Sequence, residues 1–286
     1  MILGLAAALA AAACYGFASI VQAVAAERST VTGRLDVKVL ARLVAQWRYV
    51  SGLALDLLGF VAALVALRSL PLFVVQAAVA SSVGVTAVAA TRVLNTTLAR
   101  RERTALFWLG AGLLVLAASA RPEHATRLGE PGPVLLLVAA PILAIVSWAL
   151  SSSARPSAAP ILAAAAGIAF GDVGIAARAV VVPHAWTHVF GDPLLYAIIG
   201  NGAVATVLFA GALQRGTVTT VAAVAFSVET VVPALVGIVW LGDRTRAGFA
   251  PVAAVGFALT LAAAIALARF ADPSATSDQS GVTPPA

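Results

Sequence analysis

The sequence predicts an all-α membrane protein with about nine transmembrane helices, arranged as two inverted four-helix repeats plus a linking helix. Of the 286 residues, 61% are hydrophobic and only 10% are charged, whereas soluble domains carry about 25% charged residues. Apolar stretches of about 20 residues, the length needed to cross the hydrocarbon core, recur along the whole chain. In addition, the two halves carry similar short motifs in the same order.

Composition excludes several other classes of protein. The net charge of +6 does not indicate nucleic-acid binding, because the basic residues lie in short loops between apolar spans, where they set topology and meet lipid headgroups. The single cysteine, Cys14, excludes an intrachain disulfide and a cysteine zinc site. The opening MILGLAAALAAAA has no basic n-region, so it predicts a first membrane helix rather than a signal peptide.

Apolar stretches define the predicted spans. We expect a first four-span repeat over 1–121, a linking span at 132–151, a second repeat over 157–270 and a disordered tail at 271–286. Proline, which helix starts tolerate, occurs at or beside four of the starts, at positions 71, 131, 156 and 193. The predicted spans are 1–26, 49–68, 71–94, 104–121, 132–151, 157–180, 193–213, 217–241 and 248–270.

The segment 36–48 lies between the first two spans and has apolar residues at helical spacing. Val37, Leu40, Val44 and Trp47 share one face, which indicates an amphipathic helix in the membrane interface. A basic loop with some apolar residues is the alternative.

Positive charge is distributed unevenly between the two predicted sides of the membrane. Because cytoplasmic loops carry the excess of Lys and Arg, this predicts an inner-membrane protein with its N-terminus outside and its C-terminus in the cytoplasm. Arg178 is expected to be buried near the outer side. The predicted cytoplasmic side carries Arg28, Arg34, Lys38, Arg42, Arg48, Arg92, Arg100, Arg101, Arg103, Arg155, Arg215 and Arg269; the outer side carries Arg68, Arg121, Arg127, Arg244 and Arg246.

The repeat is visible in residues 14–23, CYGFASIVQA, and 169–178, AFGDVGIAAR. Both have an aromatic residue before a glycine and an isoleucine four residues after it. Further along, Ser81 matches Ser227, Gly112 matches Gly256, and LARRERT matches LGDRTRA. Chance similarity between alanine-rich helices is the alternative. If the repeat is real, the fifth span makes its two copies inverted, which is common in secondary transporters with a site near the midplane.

These motifs resemble the drug/metabolite transporter superfamily, including its EamA-like members, over residues 1–270. Each four-span unit looks like a small multidrug resistance protomer, with a tryptophan–glycine entry to span 2 (Trp47 to Gly52, one residue longer than the family pattern), an Ala-Leu turn before span 3, a basic hairpin and a glycine-rich last span. Nine spans are similar to the magnesium-transporter-like branch. The family's first-span acid is replaced here by Phe17, and the acid occurs in the second repeat, as Asp172.

Three acids, Asp56, Asp172 and Glu229, lie inside predicted spans. A charge at the bilayer centre costs from about 2.5 kcal/mol upward. Asp56 lies about 12 Å past Arg48, at 1.5 Å per residue, and the other two lie near the middle of their spans. Three acids at similar depth favour a substrate or ion site, in which a carboxyl group exchanges a proton against a cation. Structural hydrogen bonding between helices is the alternative.

Other candidates surround these acids. Pro233 prevents the normal helical hydrogen bond to the Glu229 carbonyl, and Ser227 and Thr230 add hydroxyl oxygens. Tyr15 and its repeat counterpart Phe170 line the cavity or simply pack.

Three further features have alternative interpretations. Asn201, between two glycines, contacts substrate or bonds a neighbouring helix. Arg178 either snorkels outward, which we favour, or pairs with an acid on another helix. Gly167 and Gly171 form a GxxxG motif that is typical of close helix packing.

Metal, cofactor and enzyme sites are not indicated. His184 and His188 have a spacing that suits a metal on a helix, but with Asp192 they lie in a short segment that Trp186 marks as interfacial. The chain has no HExxH and no nucleotide-binding glycine loop. We therefore expect no enzyme activity, no cofactor and no ATP-driven pumping.

The expected function is secondary transport of a small metabolite or cationic drug, coupled to protons. A divalent-cation (Mg²⁺) permease and a non-transporting membrane subunit or scaffold are the alternatives. The expected partners are the lipid bilayer, a small-molecule or cation substrate and protons, with no nucleic acid; a homodimer is one oligomeric state to consider.

Overall fold

The computed structural model describes residues 2–27, 47–93, 98–121, 128–151, 158–180, 190–216 and 218–270. These ranges are almost entirely helical, with one isolated antiparallel pair, Ala120 and Thr245. The helical segments are α1 (Ile2–Glu27), α2 (Trp47–Leu67), α3 (Leu72–Ala80), α4 (Ser82–Val93), α5 (Arg100–Ser119), α6 (Gly132–Ser151), α7 (Ala158–Ala179), α8 (Pro193–Leu213), α9 (Val218–Val239) and α10 (Ala250–Phe270).

The described part of the chain contains eight helices that are long and apolar enough to cross a membrane, with α3 and α4 counted as one. This confirms the class of α-helical membrane protein. The predicted linking span, 132–151, corresponds to α6 (Gly132–Ser151), whose apolar stretch runs over Gly132–Val146 among the described residues. The predicted helix at 36–48, apart from its last two residues in α2, and the tail at 271–286 lie outside the described residues.

The third predicted span is interrupted at Ser81. Its backbone N–H donates to the carbonyls of Ala77 and Ala78, both at 3.1 Å, and its hydroxyl donates to the Ala78 carbonyl at 2.6 Å. Sharing one N–H between the i−3 and i−4 carbonyls is typical of a helix end, so the helix tightens here before α4 begins.

Helix ends follow the local chemistry. Pro71 precedes the first residue of α3 and Pro193 is the first residue of α8, where the missing N–H is not needed. The Asp192 carboxylate accepts a hydrogen bond from the Leu194 N–H at 2.9 Å, which caps α8.

Packing brings particular helices together. The most extensive contacts join α1 to α2, α7 to α8, α5 to α10 and α7 to α9. Small residues allow these close approaches: Gly112 on α5 lies against Thr260 and the Gly256 carbonyl on α10. The largest buried cluster includes residues of α1, α2, α3, α7 and α9, so the core lies where the two halves of the chain meet.

Candidate functional site

Glu229 on α9 lines a cavity of about 60 Å³ that α3, α4, α9 and α10 enclose. Gln76 of α3 and Thr230 of α9 also line this cavity. Sequence reasoning missed Gln76, although it is the only polar residue in PLFVVQAAVA. The carboxyl group of Glu229, the amide of Gln76 and the hydroxyl-bearing residues Ser82 and Thr230 are the polar members of a lining that is otherwise apolar.

The hydroxyls near Glu229 are already used as donors. Thr230 donates to the Phe226 carbonyl at 2.7 Å and Ser227 to the Ala223 carbonyl at 2.5 Å. Both bonds are made within α9, so towards a ligand these hydroxyls offer only their oxygen lone pairs.

Asp172 on α7 is buried, with 7% of its surface exposed. Its carboxylate has no hydrogen bond or ion pair among the described residues. The preceding residue, Gly171, packs on α9: a Cβ there would lie 2.9 Å from the Pro233 ring and 3.7 Å from the Glu229 carbonyl oxygen. The α7–α9 contact therefore brings Gly171, the residue before Asp172, against the backbone of Glu229.

The same contact confirms the packing interpretation of the GxxxG motif. A Cβ on Gly167 would lie 2.5 Å from the Ala225 carbonyl oxygen on α9. Gly174, one turn beyond Gly171, lies against the Gln76 amide. The glycine face of α7 therefore meets α3 and α9, two of the four helices that line the Glu229 cavity.

Asp56 on α2 is half-buried and bonds to α1. The Gln22 amide donates to the Asp56 carboxylate at 2.5 Å. Tyr15 packs beside them, since a Cβ on Gly59 would lie 3.3 Å from its ring. Both Asp56 and Glu229 lie close enough to Tyr15 to interact with it electrostatically, so Tyr15 has an acid of each half in its neighbourhood.

Asn201 on α8 is fully buried and holds α6 in place. Its amide nitrogen donates to the carbonyls of Leu136, at 2.8 Å, and Ala197, at 3.0 Å. The amide oxygen has no hydrogen-bond partner in the described part of the chain. The bond to a neighbouring helix is thus realised, while contact with a substrate stays a prediction.

Arg178 does not snorkel. Its side chain is fully buried, and it forms an ion pair with Asp243, with 2.9 Å between Nη2 and Oδ1. The favoured interpretation, that Arg178 snorkels outward, is wrong. The alternative was an ion pair with an acid on another helix; the acid that reaches Arg178, Asp243, lies in the loop between α9 and α10. Sequence reasoning missed Asp243, since it is the one acid in LGDRTRA, a segment that was interpreted as a basic hairpin.

Of the three candidate metal ligands, only Asp192 lies in the part of the chain that the structure describes. His184 and His188 lie outside the described residues, and Asp192 caps α8. Among the described residues no group of three or more His, Cys, Asp or Glu side chains is placed to hold a metal ion.

Comparisons with family models, with curated proteins and with solved structures find no match for this chain. The resemblance to the drug/metabolite transporter superfamily therefore rests on the sequence motifs and stays a prediction.

Proposed function

We propose that this protein is a secondary transporter of the inner membrane that moves a small metabolite or a cationic drug by alternating access, coupled to protons. One observation carries the proposal: the Glu229 carboxylate lines a cavity inside the membrane-spanning region, and α9 packs at this point against Gly171, the residue before the buried Asp172. A carboxylate in that position is costly, and neither acid has an ion-pair partner among the described residues. Carboxylates retained there without partners are suited to bind and release a cation.

The helix contacts support an inverted repeat. The first helix of each proposed unit packs on the second, α1 on α2 and α7 on α8, and each also packs on the third, α1 on α4 and α7 on α9. Across the units, α5 packs on α10 and α3 on α9. A pseudo-two-fold axis would produce this pattern, and in inverted-repeat transporters the substrate site lies where the units meet.

The acids supply the coupling. A protonated carboxyl is neutral and has little attraction for a cation, whereas an ionised one attracts it strongly in surroundings of low polarity. A cationic substrate and a proton therefore compete for the same group. The Gln76 amide is well placed to orient the bound molecule, since it lines the same cavity as Glu229.

The test uses purified protein in liposomes, with ethidium as the cationic probe and an internal pH dye. We expect ethidium movement to drive opposite proton movement, and Glu229→Gln or Asp172→Asn to abolish it. Glu102→Gln is the matched control, because the Glu102 carboxylate accepts from the Ala99 N–H at the start of α5, away from the cavity. If Asp56→Asn, Asp172→Asn and Glu229→Gln all leave flux untouched but lower stability, the acids are structural and the proposed site is refuted. If the wild-type protein itself moves neither ethidium nor protons, the protein is a scaffold.

A divalent-cation permease is the second candidate. It is favoured by the oxygen groups near one another on α9: the Glu229 carboxylate, the Glu229 carbonyl that Pro233 leaves without its helical bond, and the Thr230 hydroxyl. Mg²⁺ requires oxygen ligands. Uptake of Mg²⁺ into liposomes without a pH gradient, recorded with an internal Mg²⁺ dye, would favour this candidate over the first.

A further inference from the structure

A buried ion pair joins three segments at one end of the helix bundle. Arg178, in the last turn of α7, pairs with Asp243, in the loop between α9 and α10; both side chains are 0% exposed. The Arg178 guanidinium also donates to the Leu67 carbonyl at the end of α2. The second Asp243 oxygen accepts from the Leu72 N–H at the start of α3, at 2.5 Å. The pair therefore fixes the α7 end and the α9–α10 loop to the turn between α2 and α3.

Further bonds tie these segments together and add the end of α5 to the network. Arg68, in the turn after α2, donates to the Val180 carbonyl just past α7. From the α9–α10 loop, Arg246 donates its backbone N–H to the Ser119 carbonyl at 2.9 Å and its Nε to the Ala120 carbonyl at 3.2 Å. All of these bonds join the first half of the chain to the second.

The cavity that Glu229 lines lies deeper in the bundle than this network: on α3, Gln76 is about 6 Å along the helix from Leu72, whose N–H Asp243 binds. At 1.5 Å per residue, the end of α9 at Val239 is about 15 Å further along the helix than Glu229. On α10, the cavity is lined by Leu261, Ala264 and Ile265, which lie about 16 Å or more beyond Ala250, the residue nearest the loop. The network therefore closes one end of the bundle, and the cavity lies in the interior behind it.

We propose that this network is a gate: the Arg178–Asp243 pair holds the α9–α10 loop against the α2–α3 turn, and the pair separates when the site opens to that side. This inference rests on the proposed transport function and adds how access to its site is controlled. The repeat alignment places Ala23 opposite Arg178, so this ion pair has no counterpart at the matched position of the first half.

A buried pair suits a gate for a physical reason. In the closed state both charges are desolvated, which offsets much of their attraction. When this end of the bundle opens, water hydrates both groups, so their desolvation no longer costs free energy. The two states are therefore closer in free energy than they would be if packed apolar side chains formed the closure.

The first test locks the gate. Ala120 and Thr245 are an antiparallel pair, and the bond from Arg246 to Ser119 makes it the non-hydrogen-bonded type, in which Cα atoms are about 4.5 Å apart. Disulfides span about 4.4–6.8 Å between Cα atoms. The double variant Ala120→Cys/Thr245→Cys is therefore made in a Cys14→Ser background, where no other cysteine remains.

Oxidation of this double variant should reduce ethidium transport at least about tenfold, and a reductant should restore it. Each single-cysteine variant, treated with the same oxidant, is the control and should keep its rate. If protein shown to be cross-linked transports at the rate of the reduced form, the gate is overturned while the transport function stands.

The second test needs no substrate. Leu70, which lies between the two backbone groups that Arg178 and Asp243 bind, is 0% exposed. In Leu70→Cys/Cys14→Ser protein, a membrane-impermeant maleimide should label slowly, and adding Asp243→Asn should raise the rate roughly tenfold. Asp192→Asn is the matched control, because Asp192 caps α8 outside the network. An unchanged rate in Asp243→Asn overturns the gate. A third outcome separates the gate from the transport function. If Asp243→Asn labels faster but the protein with Asp243 intact moves neither ethidium nor protons, the opening motion is supported and the transport function is overturned.

Discussion

Replacing Gly167 by alanine should destabilise the protein, because it forces α7 away from α9. The new Cβ would lie 2.5 Å from the Ala225 carbonyl oxygen, 2.8 Å from the Val228 Cβ and 3.1 Å from the Glu229 nitrogen. Two of these atoms are backbone atoms of α9 and cannot rotate aside. Since ordinary contact begins near 3.4 Å, the helices must separate by about 1 Å, a gap that forfeits a quarter to a half of the dispersion attraction along the contact.

The size of the effect follows from overpacked cores, where an extra methyl group costs about 1–3 kcal/mol. At about 1.4 kcal/mol per factor of ten, this corresponds to a change of roughly 5- to 150-fold in the unfolding equilibrium constant. The assay is unfolding in detergent micelles by titration with sodium dodecyl sulfate, followed by tryptophan fluorescence.

The matched control is Gly110→Ala on α5. A Cβ at Gly110 meets no atom within 4 Å, so the same exchange inside a helix should be neutral or slightly stabilising there. If Gly167→Ala and Gly110→Ala unfold at the same detergent fraction, α7 and α9 do not pack as closely as described. The placement of Asp172 beside Glu229 would then lose its support.

Three further changes probe other parts of the molecule. Asn201→Leu removes the bond to the Leu136 carbonyl and should lower stability by about 1 kcal/mol in the same titration; unchanged stability would mean that this bond does not hold α6. Gly242→Ala places a side chain at φ 72°, a backbone conformation that costs about 1–2 kcal/mol for a residue with a Cβ. This variant should therefore lower the stability of the protein and loosen the α9–α10 loop; unchanged stability would argue against this backbone conformation. Asp56→Asn should reduce the protons moved per ethidium if the Asp56 carboxyl group, like those of Asp172 and Glu229, carries a proton during transport. Gln22→Leu removes only the hydrogen-bond donor to Asp56 and should leave this ratio unchanged; equal ratios in the two variants would refute a proton role for Asp56.

The helices were predictable because their signals are local. The predicted span 193–213 has the same bounds as α8, and 157–180 differs from α7 by one residue at each end. Apolar length and a proline or cap at the start decide such elements. The break at Ser81 was missed because it depends on how one N–H is shared between two carbonyls, which leaves no trace in hydropathy.

The site was only partly predictable, because its members come from distant positions. Asp172 and Glu229 were found since an ionisable residue inside an apolar span is conspicuous. Gln76 and Gln22 were missed because a neutral amide costs less in a bilayer and a scan for charge passes over it. The partner of Arg178 lies 65 residues along the chain, and only the folded arrangement of α7, α9 and the following loop identifies it.

The positions of the acids and of the gate on the same two helices suggest how substrate and access are coupled. On α7, Arg178 follows Asp172 by about 9 Å, at 1.5 Å per residue. On α9, Glu229 precedes the loop that carries Asp243. The α7–α9 contact includes Gly167 and Gly171 of α7 against Ala225, Val228 and the Pro233 ring of α9. On the proposed function, a change of charge at Asp172 or Glu229 would alter the preferred separation of these helices, and because α7 ends at Arg178 and α9 leads into the loop that carries Asp243, the same movement would pull the ion pair apart. On this mechanism, a ligand shifts the gate only as far as its binding free energy differs between the closed and open states. In the proposed repeat alignment, Asp172 and Arg178 of the second half stand opposite Phe17 and Ala23 of the first, so this coupling would have no counterpart at the matched positions of the first half.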